Sequence, residues 1–358
     1  MHGTERFTAT VHEWLLSIFT AGTTHFVEMV LIGLAYLGFF AIAGLALVYL
    51  ERRIAAFFQV RLGPNRVGPQ GMFQTLADAL KLVAKEPIGT KKADSFLYSL
   101  APYFLIISSL MAISVIPMGA GFSGFDIDVG VFFLIAVSSI GVLGILIAGW
   151  GSYNKYALIG ALRSGAQMIS YELSVGLSLL TMILLVGSLR FSDIVQSQSD
   201  YWLIFKGHIP ALIAFIIFII SGTAESNRTP FDLVEAESEL GAGFHSEYSG
   251  IQFAFFFLSE FINMFIISAV AATVFWGGWM PLHLGGFSGF NQTMDYIPGP
   301  IWFLGKTGVI IFLMMWFRWT FPRLRIDQLM KLEWKYLLPL NLINILIMAF
   351  VVWMGWHL

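Results

Sequence analysis

The chain contains no cysteine. Disulfides, Cys-ligated zinc and the thiolate ligands of iron–sulfur clusters are therefore excluded on this polypeptide. Charge is scarce too. Only 12% of the 358 residues are Asp, Glu, Lys or Arg, about half the roughly 25% of a soluble chain. So few charges cannot coat a surface that faces water on all sides. Neither sign dominates: 20 basic residues oppose 22 acidic ones, for a net charge of −2, so no overall field recruits nucleic acid. Histidine is sparse as well. His2, His12, His25, His208, His245, His283 and His357 all lie at or outside the ends of the apolar runs, which argues against a haem held by two histidines across a helix bundle. The N-terminus lacks the basic cluster and short apolar core of a cleaved signal peptide.

What the chain has in quantity is apolar residues, 57% of the total, with a mean hydropathy of +0.78. Length alone suggests about two soluble domains; the composition overrules that and reads as one membrane domain, residues 1–358. A bilayer-crossing helix needs about 20 mainly apolar residues. Eight stretches qualify, 29–50, 97–117, 129–150, 165–189, 202–222, 251–276, 300–317 and 337–356, predicting an all-α polytopic membrane protein. Two amphipathic interfacial helices accompany them. One covers residues 11–19, with Val11, Trp14, Leu15, Ile18 and Phe19 at helical spacing. The other carries Phe73, Leu76, Leu80 and Val83 along one face.

Basic residues orient the bundle. The loops 51–96, 151–164, 223–250 and 318–336 hold sixteen Lys and Arg, and the opposite side holds Arg6, Arg190 and Lys206, with Lys306 inside span seven. The positive-inside rule places those four loops in the cytoplasm or its equivalent and both termini on the far side. A bacterial inner membrane is the expected location, with the mitochondrial inner membrane as the alternative.

Acidic residues gather where the basic ones do. Loop 223–250 has six carboxylates, Glu225, Asp232, Glu235, Glu237, Glu239 and Glu247, against the single Arg228, with Phe231, Leu233, Val234, Leu240, Phe244 and Tyr248 between them. A merely solvated loop would not need those apolar residues. Glu225, Arg228, Asp232, Glu235 and Glu239 step by 3, 4, 3 and 4, one stripe if the backbone is helical. Thr229-Pro230-Phe231-Asp232 offers a helix start, with Thr as N-cap and Pro at the first position. Carboxylates packed on one face repel unless some are protonated, which suits a set of groups that exchange protons.

Two further carboxylates fall inside predicted spans. Glu172 lies seven residues into span four and Glu260 nine into span six, about 10 and 14 Å deep at ~1.5 Å per residue. A buried carboxylate is costly unless paired or protonated and is a functional candidate by default. With Glu225 these residues form a proton path open to the cytoplasm, without an obvious titratable exit on the far side. That predicts a half-channel or a lateral hand-off to a neighbouring subunit. Lys306, near a helix start, is expected to snorkel, and Glu28 to be interfacial. The G-x-G-x-x-G string at 119–124 lacks the strand and helix that give it meaning. It is read, with the repeated Gly-Phe-Ser-Gly-Phe at 121–125 and 286–290, as turn material.

Several strings then carry a resemblance: Glu51-Arg52-Arg53, Gly63-Pro64-Asn65-Arg66-Val67-Gly68-Pro69, Asn154-Lys155-Tyr156 and Ser170-Tyr171-Glu172. Arg228-Thr229-Pro230-Phe231-Asp232, Glu235-Ala236-Glu237-Ser238-Glu239-Leu240 and Glu247-Tyr248-Ser249-Gly250 follow in order. The chain resembles the family of the H subunit of the proton-pumping NADH:quinone oxidoreductase, respiratory complex I, where the mitochondrial counterpart is called subunit 1. The resemblance implies a membrane subunit that meets the hydrophilic arm at its cytoplasmic loops and lies beside small membrane subunits and antiporter-like subunits. It implies quinone as substrate in a shared chamber, lined or flanked by Arg52 and Arg61. Flavin, iron–sulfur centres and haem would sit on other chains. Glu225, Asp232, Glu235, Glu237, Glu239 and Glu247 match the acidic loop below that chamber, and Glu172 and Glu260 the acidic residues leading toward the midplane. The related subunit of a membrane hydrogenase or a ferredoxin- or F420-linked dehydrogenase is the nearest alternative. A stand-alone secondary transporter, which would need paired broken helices, and a purely structural anchor are more distant ones.

Overall fold

A computed structural model describes residues 10, 12–14, 16–17, 21–232, 241, 243–283 and 287–356. Among them the chain is all-helical apart from one isolated bridge between Gly119 and Phe122. Eight helices are long and apolar enough to cross a membrane. In chain order the main helices are α1 (Ala21–Phe58), α2 (Gln74–Ala84), α3 (Ser95–Val115), α4 (Gly130–Gly151) and α5 (Lys155–Val186). Then come α6 (His208–Glu225), α7 (Gly250–Phe275), α8 (Gly299–Thr320) and α9, which runs Ile326–Trp353. All but α2 are the candidate spans.

Local chemistry sets several of these ends. Asp94 caps α3, its carboxylate accepting from the backbone of Phe96 at 3.1 Å and Leu97 at 3.2 Å. Asn154 does the same for α5 through Tyr156 N at 2.9 Å. These contacts satisfy backbone donors that have no partner within a helix's first turn. Gly187, at φ +79°, closes α5 in the left-handed region, where glycine carries no Cβ penalty.

The bundle is organised around α7. From Met264 to Phe275 every one of its residues is buried, and it packs against α1, α3, α6 and α8. Outer faces of the other spans keep large apolar side chains exposed, such as Leu31, Ile42, Phe132, Ile216 and Leu346. That suits lipid, in which association rests on close packing rather than on hydrophobic burial. At Gly149 on α4 an added Cβ would lie 2.2 Å from the Ala161 Cβ of α5, so the close crossing of these two helices requires glycine there.

Several boundaries differ from the sequence reading, for one recurring reason: helices continue beyond the apolar run that the bilayer demands. Helix α1 extends through Phe58, so Glu51, Arg52 and Arg53 are helical rather than loop residues. Helix α5 begins at Lys155, ten residues before the expected start, and loop 151–164 shrinks to a tight turn. Glu172 is thus ~26 Å from the start of its helix, close to the helix midpoint. Helix α9 begins at Ile326 and passes through a π-helical stretch, Leu332–Leu337, within the expected loop 318–336. Span 202–222 is interrupted instead: a short turn of helix, Leu203–Lys206, precedes α6. The second Gly-Phe-Ser-Gly-Phe leads into a helix, Ser288–Asp295, rather than a simple turn.

Helix α2 appears where its spacing placed it, and Phe73, Leu76, Leu80 and Val83 are all exposed. The described residues among 10–17 are helical. Lys306 does not snorkel. It is 5% exposed, and its Nζ donates to the carbonyls of Trp276 (2.5 Å), Gly278 (3.1 Å) and Met280 (2.6 Å) just beyond the end of α7. Carbonyls at a helix C-terminus lack intrahelical donors and carry partial negative charge, so a buried cation is well matched there.

Candidate functional site

Where α6 ends, the chain turns sharply. Asn227 takes φ +52°, Arg228 N bonds back to Thr223 O at 3.3 Å, and Phe231 N bonds to Arg228 O at 2.8 Å. This turn drives the Arg228 side chain into the bundle, where the residue is 3% exposed. Its Nη1 donates to Glu51 Oε2 of α1 at 2.7 Å, and its Nε lies 3.1 Å from Glu260 Oε1 of α7. The guanidinium also sits 4.2 Å from the centroid of the Phe261 ring. Arg318 of α8 donates to the other Glu51 oxygen. Beside this group Arg323 Nη2 donates to Asp232 Oδ2 at 3.0 Å. Glu51 and Glu260 are thus balanced by Arg228 and Arg318, as buried charges require.

Glu260 also faces a cavity, and so do Glu172 and Glu225. Three helices, α5, α6 and α7, each bring one carboxylate to the same space. The cavity has a volume of roughly 80 Å³, well above the ~10–15 Å³ needed to hold a water. Apolar side chains such as Phe218, Phe256 and Ile266 form most of its wall, with Ser138, Asn263 and His245 as further polar groups. Glu172 accepts hydrogen bonds from Ser138 Oγ at 3.1 Å and Ser139 Oγ at 2.5 Å. Asn263 accepts from Ser109 Oγ at 2.9 Å. Carboxylates and an imidazole around a space that can hold water can pass protons among themselves, and Glu260 joins that space to the ion-pair group.

His245 reaches the cavity from the short turn Gly243–His245. That turn sits directly on α5: a Cβ at Gly160 would lie 2.9 Å from Gly243 Cα. Burial pushes the His245 imidazole down to about 4, so at neutral pH it is uncharged, with one nitrogen to donate and one to accept.

The structure therefore brings together Glu172, Glu225 and Glu260, and places Arg228 and Asp232 beside them. The predicted helical stripe is not what does this. Glu225 is the last residue of α6, Thr229 and Pro230 form a turn, and Phe231 and Asp232 are likewise non-helical. Mutual repulsion on one face is replaced, for Glu260 and Asp232, by pairing with arginines. Glu235, Glu237 and Glu239 lie outside the described residues. Glu247 stands apart from the cavity. Its carboxylate accepts from Asn154 Nδ2 at 2.5 Å and its carbonyl from Tyr98 OH at 2.7 Å, next to the stacked Tyr98 and Tyr248 rings.

Arg52 and Arg61 belong to a different surface. Arg52 Nη1 donates to Asp78 Oδ2 of α2 at 2.5 Å. Burial raises the Asp78 carboxyl, but hydrogen bonds from Arg52 and Gln74 and the Arg52 and Lys81 charges outweigh it and hold it below the usual range. Arg61 is exposed and donates to Gln59 Oε1 at 2.6 Å. Sequence reasoning missed the cavity positions of His245 and Asn263, the pairing of Glu51 with Arg228 and Arg318, and the burial of Glu333. For Glu333 a signal existed: it is the one acidic residue in an otherwise apolar and basic stretch, Leu329–Leu340.

Comparison with known proteins resolves the family. Residues 31–349 match the NADH dehydrogenase family, a range that includes every residue of the cavity and the ion-pair group. The H subunit of the NADH-quinone oxidoreductase of Bacteroides fragilis is 58% identical over 350 residues, 98% of each chain. Its namesakes from Bacteroides thetaiotaomicron and Brevibacillus brevis are 57% and 46% identical. They cover 97% and 92% of this chain and 97% and 94% of their own. The chain belongs to the NADH dehydrogenase family. For this member of the family, the similarity runs from within α1 to within α9 without a missing span.

Proposed function

We propose that the chain is a membrane subunit of a proton-translocating NADH:quinone oxidoreductase that helps form the quinone-binding chamber and couples quinone reduction to proton movement. One observation carries the coupling role: Glu172, Glu225 and Glu260, from three helices, share one cavity large enough for water, and Glu260 is also paired with Arg228. Reduction of a quinone on the cytoplasmic side alters local charge. The Glu51–Arg228–Glu260–Arg318 group relays that change because Glu51 and Arg228 are buried and Glu260 and Arg318 lie close beside them, where charge interactions are stronger than in water. A shift of Arg228 toward Glu51 frees Glu260, and the freed carboxylate takes up a proton that the cavity waters, His245, Glu225 and Glu172 share.

Arg52 and Arg61 flank the quinone chamber in this reading. Asp232, Glu235, Glu237, Glu239 and Glu247 belong to the acidic loop beneath it, with Glu247 in a fastening role. The hydrophilic-arm subunits dock on the cytoplasmic loops, and small membrane and antiporter-like subunits take the proton step onward. The four basic-rich loops face the cytoplasm, and the termini face the periplasm of a bacterial inner membrane. Affinity purification of the tagged chain from mild-detergent extracts of its native membranes tests the assignment. The expected result is a multi-subunit assembly with flavin and iron–sulfur centres that oxidises NADH and reduces quinone. A chain recovered alone, or with partners lacking those centres, overturns it.

A further inference from the structure

The inner face of α9 presents residues 333, 337, 341, 344 and 348, a helical stripe in which Glu333, Leu337, Asn341, Asn344 and Met348 are all buried. Three of the five are polar. Glu333 Oε1 meets Ser174 Oγ at 2.5 Å, Asn341 Nδ2 donates to Ser174 O at 3.1 Å, and Asn344 Nδ2 donates to Pro210 O at 2.9 Å. Each also has an oxygen, Glu333 Oε2, Asn341 Oδ1 and Asn344 Oδ1, that is buried and meets no donor among the described residues. A buried acceptor without a donor is rare enough to require an explanation. Three along one seam of ~16 Å, at ~1.5 Å per residue, point to a common one.

Charge narrows the choice. Glu333 joins none of the ion pairs among the described residues, and Lys331 and Lys335 are exposed. An ionised carboxylate at 0% exposure without a cation beside it is strongly disfavoured, whereas a neutral carboxyl carries its own O–H donor. Glu333 also lies in the π-helical stretch Leu332–Leu337, a distortion of the helix that recurs at functional sites. The seam is separate from the three-glutamate cavity. Ser174 and Glu172 are two residues apart on α5, about 200° around the helix, so they serve opposite faces.

We infer that the seam where α9 packs on α5 and α6 is a second proton-binding site, with Glu333 as a neutral, hydrogen-bonded carboxyl at one end and water-supplied donors on Asn341 and Asn344 along its length. The inference does not rest on the pumping role proposed above, and neither does its test. Infrared spectra of the assembled complex in membranes are compared between wild type, Glu333→Gln and Ser174→Ala. The expected result is loss of one protonated-carboxyl stretching band in Glu333→Gln. That band shifts in deuterated water, and in Ser174→Ala it moves rather than disappears. Loss of ionised-carboxylate bands instead, or a carboxyl band indifferent to Ser174→Ala, overturns the inference. If Glu333→Gln fails to assemble, the shift between wild type and Ser174→Ala decides alone.

Discussion

Arg228→Ala destabilises the protein by about 3–5 kcal/mol, the cost of removing one partner from a buried ion pair. The substitution strips Glu260 of its direct cation and leaves Glu51 with Arg318 only. It also removes the guanidinium from the Phe261 ring, a contact worth up to about 2 kcal/mol when desolvated. Such a loss is a large fraction of a typical folding free energy. The expected outcome is a sharp fall in the amount of assembled complex, with a lower thermal midpoint in what remains. Arg228→Lys keeps the charge but not the planar fork that reaches two carboxylates at once, and falls between. The double substitution Arg228→Met with Glu260→Met removes both charges, leaves Glu51 with Arg318, and recovers most of the stability. Wild-type assembly and melting in Arg228→Ala would contradict the account.

Glu260→Gln has a different signature. Arg228 and Arg318 then share Glu51 alone, so each cation keeps a partner, and the amide fits the same space and its oxygen can still accept from Arg228. The fold persists; what disappears is the one carboxylate that touches both the arginine and the cavity. Close charge pairs couple by at least about 1.5 kcal/mol, which at about 1.4 kcal/mol per decade is a roughly tenfold or larger effect. NADH-driven quinone reduction and proton translocation are expected to fall together by that factor in complexes of normal subunit content. Measuring both in membrane vesicles checks it; a loss of assembly in place of activity would mark Glu260 as structural.

The eight spans were legible because the bilayer demands long apolar runs, and nothing else in the chain resembles them. Their ends were not. Lys155, Arg163 and Glu51–Arg53 are charged yet helical, since a helix that emerges from lipid needs no apolar face all round. The candidate carboxylates were legible individually. Glu172 and Glu260 stood out against their apolar neighbours, and their meeting with Glu225 follows from how α5, α6 and α7 pack. The 3-and-4 spacing through Glu225, Arg228 and Asp232 suggested a helix that the positive φ of Asn227 ends. The partners that matter, Glu51, Arg318 and Arg323, come from distant parts of the chain, which no local periodicity reveals. Glu333 lies between Lys331 and Lys335, yet the lysines point outward while it points in, a difference of helix face rather than of local composition.

The central claim is that protons move through the cavity shared by Glu172, Glu225 and Glu260 as quinone is reduced. Glu225→Gln is the cleanest probe, because Glu225 takes part in none of the ion pairs among the described residues. The decisive measurement is the rate of proton translocation by membrane vesicles during NADH oxidation, in a complex of wild-type subunit content. The account predicts a fall of roughly tenfold, about 1.4 kcal/mol, with quinone reduction slowed alongside. Unchanged proton translocation in the fully assembled Glu225→Gln complex would contradict it.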